Sequence, residues 1–344
     1  MMATNSREPR QVCLLAAVET SPSVLYGLVD VLGAAGVVYH EVTTGQPGEP
    51  LFDVRVVAAS AEPFRCLSNV LIVPDCAVEE VADTDIVVVC DMYQPVDRPP
   101  RGKYPREIAW LRRMHENGAL VTSVCSGALL LAEANLLDGV DAASHWCYRE
   151  LFSRHYPRVS LRHELALCLD AEERQIVTTG AVNAWQDLAL YLIARFAGRE
   201  HAVQTAKVFL LSEHEEGQLP FVVGLPPIAA DDAMVADAQQ WIAKHHAVPN
   251  PVARMAEQAG LKLRTFSRRF HAATGYRPLE YVHLVRLEEA KRHLERPELR
   301  VDDVGHTVGY EDPSSFRRLF RRRIGMTPAA YRRRFSGVGR VASQ

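Results

Sequence analysis

The sequence predicts an α/β domain, with a parallel sheet covered by helices on both faces, followed by an all-α domain with two helix-turn-helix units. Three observations carry that expectation. Short apolar runs alternate with helical patterns over roughly the first 200 residues, as in a sheet whose strands are joined by helical crossovers. From residue 233 strand signals vanish, and arginine-rich amphipathic helices continue to residue 335. The charge divides with the pattern. From Asp231 onward 21 Lys and Arg face 13 Asp and Glu, a balance of +8; the rest holds 18 basic and 29 acidic residues, a balance of −11. The basic half is the candidate for contact with nucleic acid.

Taken in order, residues 12–18 (Val-Cys-Leu-Leu-Ala-Ala-Val) read as a buried strand, and 23–35 hold apolar residues at helical spacing. Residues 54–59, 70–73 and 86–90 are further short strands. Residues 108–117 are helical, 120–124 a strand, 127–135 a helix, 176–179 a strand and 184–196 a helix. Ligands of such sheets bind outside the C-terminal ends of the strands. Residues 213–232, with Gly217, Pro220, Gly224, Pro226 and Pro227, break both periodicities and read as a linker. The expected boundaries are 10–212 for the first domain, 213–232 for the linker and 233–335 for the second domain, with a frayed tail from 337.

The apolar and charged fractions, 48% and 24%, exclude disordered and collagen-like classes. No apolar run reaches the roughly 18–20 residues that span a bilayer. The polar residues 1–10 lead into the first strand without a signal peptide's cleavage region, which predicts a cytoplasmic protein with no membrane partner. The seven cysteines form no C-x-x-C pair and are odd in number. That argues against a disulfide framework or zinc site, and neither metal nor cofactor is expected.

Two segments of the basic half resemble each other. Residues 252–261 end at Gly260-Leu261 and are followed by Arg264-Thr265-Phe266-Ser267-Arg268-Arg269-Phe270. Residues 301–310 end at Gly309-Tyr310 and are followed by Pro313-Ser314-Ser315-Phe316-Arg317-Arg318-Leu319-Phe320. Glycine suits the left-handed conformation that ends a helix. Asp312 before Pro313 is a strong helix start. Phe266 and Phe270, like Phe316 and Phe320, are four apart and belong to the core. The opposite faces carry Arg264, Ser267 and Arg268 in one unit and Ser314, Arg317, Arg318 and Arg321 in the other, residues able to grip phosphate or read bases. One such face could be merely solvated; two in tandem argue for double-stranded DNA. With Gly275, Pro278, Gly325, Pro328 and Tyr331-Arg332, the segment 233–335 resembles the AraC-type DNA-binding domain. The resemblance implies that a linking helix, 279–295, holds two recognition helices about one turn of DNA, ~34 Å, apart. Lys262 stands where that family often has a capping Ser, and Gly305 replaces a common Ala, at about 1 kcal/mol of helix preference.

In the acidic half, the strand 120–124 breaks at Cys125, and Gly127 permits a sharp turn into a helix. A helix N-terminus favours thiolate there. The run from Cys125 through Gly127-Ala128, Leu131-Ala132 and Leu136-Leu137 to Gly139, followed by Ser144-His145-Trp146, resembles the ThiJ/PfpI group of the class I glutamine amidotransferase-like, flavodoxin-like fold. The resemblance implies a pocket shared by Cys125 and His145. In enzymes of that group a carboxylate from the first strand-to-helix turn supports the cysteine; here Val24 falls at that place, and Glu19 approaches only if the turn is built differently. Asp91 stands at the strand end near the oxyanion site, where it would oppose a developing negative charge. Cys125, His145, Glu19 and Asp91 are therefore effector-pocket candidates, with no residue assigned a catalytic role. Three readings of Cys125 stay open: a small buried residue, a ligand contact, or a nucleophile.

The two halves together resemble the GlxA-like transcriptional regulators. The resemblance implies a homodimer that binds promoter DNA under control of a small-molecule effector. The competing readings are a cysteine-dependent amidase, isonitrile hydratase or glyoxalase-like enzyme with a DNA-binding tail, and a redox sensor acting through Cys125.

Overall fold

A computed structural model describes residues 8–170, 175–225, 228–229, 231–296 and 298–338; Pro226, Pro227 and most of the expected tail lie outside them. The chain divides into two compact units, Met1–Gln218 and Leu219–Gln344.

The first unit is built on seven strands: β1 (Arg10–Leu15), β2 (Phe52–Ala58), β3 (Cys76–Ala77), β4 (Ile86–Val89), β5 (Leu120–Val124), β6 (Leu167–Leu169) and β7 (Ile176–Thr179). Their order in the sheet is β6-β7-β5-β4-β1-β2-β3. Successive residues of β1 serve opposite layers, as the period of two requires. Val12 and Leu14 pack with Leu25, Leu28 and Leu32 of α1 (Pro22–Ala34). Cys13 and Leu15 share the other core with Trp110, Leu111 and Met114. Strands β4, β5 and β7 are buried along their whole length, which is why they read as continuous apolar runs.

Two expectations need correction. The sheet is not wholly parallel: β6 pairs antiparallel with β7. Only residues 170–175 separate those strands, enough for a reversal but not for the crossover that parallel pairing needs. The run 70–73 contributes only Leu71–Ile72, to a small ribbon with Phe64–Arg65 outside the main sheet.

The remaining helices of this unit are α2 (Val38–Thr44), α3 (Pro105–Glu116), α4 (Ala128–Glu133), α5 (Arg149–His155), α6 (Trp185–Ala197) and α7 (Arg199–Phe209). Helices α2, α5 and α7 were not legible: the first two are short, and α7 buries only Ala202 and Thr205. Among the described residues no single helix is long and apolar enough to cross a membrane.

The second unit contains α8 (Ala233–Lys244), α9 (Pro251–Gln258), α10 (Leu263–Thr274), α11 (Pro278–Glu295), α12 (Val301–Thr307), α13 (Pro313–Ile324) and α14 (Pro328–Phe335). It has two small cores strung on α11. Tyr281, Val282 and Val285 join Phe266 and Phe270 in one; Leu287, Ala290 and Leu294 join Phe316 and Phe320 in the other. One helix thus fixes both helix-turn-helix units. Arg286, between the two cores, donates from Nε to His246 O at 2.7 Å and from Nη2 to Val248 O at 3.2 Å. Its guanidinium lies 5.2 Å from the centroid of Tyr310.

Local signals at the helix ends behave as expected. Asp312 caps α13, accepting from the Ser314 and Ser315 amides at 3.0 and 2.9 Å, whereas Lys262 gives α10 no side-chain cap. A Cβ on Gly305 would stand 3.0 Å from Phe316 Cδ1, so the glycine lets that ring approach α12.

The segment 213–232 packs at both ends. His214 donates its amide to Asp187 Oδ1 at 2.7 Å, and buried Gln218 donates to Ser144 O at 2.9 Å and Leu165 O at 3.0 Å, all within the first unit. In the second unit, Phe221 meets Phe335 edge-on at 5.5 Å and Lys291 Nζ donates to Val222 O.

Candidate functional site

Strand β5 delivers Cys125 to a sharp turn, where the residue adopts φ +55. Left-handed backbone at a non-glycine residue costs about 1–3 kcal/mol and collects at functional sites. A Cβ on Gly127 would stand 2.5 Å from Val89 O, so only glycine lets the turn lie against the end of β4. The elbow read from the sequence is therefore real in geometry.

Its electrostatics differ from the expectation of thiolate. Cys125 is 4% exposed. Burial pushes its thiol well up, and the charge of Asp91 and a hydrogen bond to that carboxylate push it further. The Ser126 amide opposes this with a smaller effect. Asp91 is held in place: Oδ2 accepts from the Ser21 hydroxyl at 2.6 Å, and Oδ1 from the Ser126 hydroxyl at 2.7 Å and the Ser126 amide at 3.3 Å. Ser21 and Ser126 were not singled out in the sequence; a serine facing an acid from a different strand end leaves no local pattern. Val24 is fully buried in the core against the sheet.

His145 is half-buried, and its Nδ1 lies 2.9 Å from Cys147 Sγ. It also accepts from the Cys147 amide at 3.3 Å. Burial lowers its pKa, with Asp91 acting in the opposite direction. Burial also raises the Cys147 thiol, to about 11. Cys125 and His145 thus both lie in the field of Asp91, but the ring nitrogen is bonded to Cys147.

Glu19 is placed elsewhere. It accepts from the Tyr104 hydroxyl at 2.8 Å and pairs with Lys103 Nζ at 2.7 Å, on the wall of a cleft of ≈ 390 Å³. Lys103, Tyr104 and Glu107 in that wall were missed, since only the fold brings the start of α3 beside β1. Among the described residues no group of three or more His, Cys, Asp or Glu could hold a metal ion.

In the second unit, α10 and α13 bury their phenylalanines and expose Arg264 and Arg268, and Ser314, Arg317, Arg318 and Arg321; Ser267 is half-buried. Arg317 pairs with Asp302 at 3.1 Å. Arg318 donates to Ser315 Oγ at 3.1 Å, and the Ser315 hydroxyl donates to Asp312 Oδ2 at 2.6 Å, so the helix cap also orients an arginine. Arg269 differs from its neighbours: it is bound through two nitrogens to Asp232, at 2.7 and 3.0 Å.

On α11, His283 Nδ1 lies 2.9 Å from the Tyr310 hydroxyl, with the rings stacked. Burial lowers the His283 pKa from its ordinary 6.5, and Arg286, Arg323 and Arg322 lower it further against the pull of Glu280. The unfolded chain therefore binds the proton more readily. The contribution is fully present above 6.5 and is lost as pH falls through the folded value. Calorimetry is expected to show the second unit's transition falling as the pH is lowered below 6.5, with a flatter profile for His283→Gln. A transition independent of pH in the wild type would remove this role.

Residues 12–195 match the DJ-1/PfpI family and residues 255–334 the helix-turn-helix domain family. Together with the two arginine-bearing helices, this domain pair defines a DNA-binding transcriptional regulator. The chain belongs to the DJ-1/PfpI family, and it carries an AraC-type helix-turn-helix domain at its C-terminal end. It is 27% identical over 285 residues to the HTH-type transcriptional regulator CdhR of Pseudomonas aeruginosa, covering 81% of each chain. It is 28% identical over 236 residues to the HTH-type transcriptional regulator GlxA of Rhizobium meliloti, covering 65% of this chain and 68% of the relative. Its identity to GbdR of P. aeruginosa, also an HTH-type transcriptional regulator, is 23% over 295 residues, covering 82% and 75%.

Proposed function

We propose that this regulator binds its operator as a homodimer and is controlled by a small molecule held in the α/β unit, without turning that molecule over. The observation that carries the absence of turnover is the Cys125–Asp91 arrangement. A nucleophile needs a base and an environment that favours its anion. This thiol is sealed beside a carboxylate that is itself tied to Ser21 and Ser126. Retention of the strained elbow suits a binding pocket inherited from an enzyme fold.

Dimerisation supports the DNA side of the reading, because two linked tandem units bind neighbouring sites with an intramolecular second step. An effector that favours one arrangement of the dimer shifts the population matching the operator's spacing. Light scattering on the full chain tests the dimer. A metabolite screen against operator affinity and promoter output tests the effector, and invariance of both across the screen would end that part of the proposal.

Arg264, Ser267, Arg268, Ser314, Arg317, Arg318 and Arg321 form the proposed DNA face. Arg268→Ala and Arg318→Ala are each expected to cost roughly 1–3 kcal/mol of specific binding, read by gel shift. Unchanged operator affinity in both variants would remove them from the base-reading set. A second reading, a cysteine-dependent enzyme, is favoured by the φ of +55 at Cys125. Cys125→Ser separates the two: an intact promoter response in that variant counts against covalent catalysis and covalent sensing alike.

A further inference from the structure

We propose that the cleft walled by the ends of β1 and β2 and the start of α3 binds a compact organic cation, an ammonium or guanidinium group on a short apolar body. This rests on the reading of the α/β unit as effector-binding, and it places the ligand at a site not lined by Cys125.

The cleft has a volume of ≈ 390 Å³, a size suited to a small molecule. It lies where β1 and β2 end, at Ala16 and Ala58, on the side of a parallel sheet where ligands bind. Phe64 and Tyr104 give it an apolar wall. The charged lining is unbalanced: Glu19, Glu62 and Glu107 face a single Lys103.

Glu107 decides the sign of the ligand. It is 6% exposed, and among the described residues no side chain donates to its carboxylate. Burial pushes its pKa up, its own backbone amide and the charge of Arg106 oppose that, and Glu79 and Glu19 add like charge. The cations beside it are ion-paired with other carboxylates: Lys103 Nζ with Glu19 at 2.7 Å, and Arg106 Nε with Glu79 at 2.9 Å. A buried carboxylate without a direct ion-pair partner is costly and gains from an incoming positive charge. A neutral ligand would cover Glu107 and leave it unpaired. An anion would meet three carboxylates.

Calorimetric titration of the full chain with n-butylammonium chloride, n-butanol and sodium butyrate tests the site, the three probes sharing one chain length and differing in charge. The ammonium alone is expected to bind. Glu107→Gln, which keeps the shape, is expected to weaken it by roughly tenfold or more, as loss of one partner of a desolvated charge pair does. Ala59→Phe, which fills the cleft and leaves the carboxylate, is expected to abolish it. Failure of the ammonium to bind, equal binding of n-butanol, or unchanged binding in Glu107→Gln overturns the proposal. Operator affinity measured in the same samples separates this site from effector control: an ammonium that binds through Glu107 yet leaves operator affinity unchanged supports the cleft and counts against regulation through it.

Discussion

Gly309→Ala is expected to destabilise the second unit by roughly 2–5 kcal/mol and to abolish operator binding at physiological temperature. Two costs add. The residue sits at φ +94, a region that L side chains rarely adopt. A Cβ there would also stand 2.7 Å from Ala247 Cα, 2.8 Å from Ala247 O and 2.9 Å from Arg286 Nη2, the guanidinium that holds residue 247 in place through His246 and Val248. The first helix-turn-helix supplies the control. Gly260 ends α9 at φ +63 and has nothing within 4 Å of its missing Cβ. Gly260→Ala should therefore show only the backbone cost, about 1–2 kcal/mol. For a unit of this size, 1 kcal/mol corresponds to a shift of about 4–8 °C in Tm, so differential scanning calorimetry resolves the two variants. Equal losses at both glycines would mean that the contact with residue 247 is relieved at little cost, and that Arg286 does not fix the relation of the two units.

That contrast marks what the sequence could reveal. Both glycines read alike as helix terminators, because the left-handed conformation is a local requirement. The difference between them depends on which loop lies opposite, and residue 247 is 62 positions away from Gly309. The same division runs through the whole chain. Strands such as β4 and β5 were legible because both faces are buried, and α10 and α13 because their phenylalanines recur every fourth residue. Helix α7 was not, since most of its residues stay at least partly exposed. Cys125 was found because the strand, the thiol and the following Gly127 are contiguous. Its chemical state was not, since that is set by Asp91 from another strand end and by burial. The cleft at Glu107 lay still further from local pattern. A glutamate in the first turn of a helix is ordinary; only its packing beside β1 and β2 leaves it without a partner.

Asp91 offers the sharpest test of how the inherited elbow is used, and its two simplest replacements are expected to part ways. Asp91→Ala removes the acceptor for the Ser21 hydroxyl and the Ser126 amide, and one of two acceptors for the Ser126 hydroxyl, which keeps Met92 O. A buried donor left unpaired costs about 1–3 kcal/mol; the Ser126 amide is one, while half-buried Ser21 can turn to water, so the expected loss is roughly 2–4 kcal/mol. Asp91→Asn keeps the volume and one acceptor oxygen, and a serine hydroxyl can rotate to accept from the new amide. Its expected cost is only about 1–2 kcal/mol. What Asp91→Asn does change is the charge beside the thiol, the contribution that raises the Cys125 pKa after burial itself. Each unit by which that pKa falls gives about tenfold more thiolate at neutral pH. Alkylation of the folded protein by iodoacetamide, followed at Cys125 by mass spectrometry, should therefore be slow in the wild type and measurably faster in Asp91→Asn. Equal slow rates would assign the silence of the thiol to burial alone. Fast alkylation of the wild type would remove the argument against catalysis, because the carboxylate would then not be suppressing a nucleophile. With the expected result, the same residue that holds the turn together through two serines also keeps its cysteine from acting as an enzyme's.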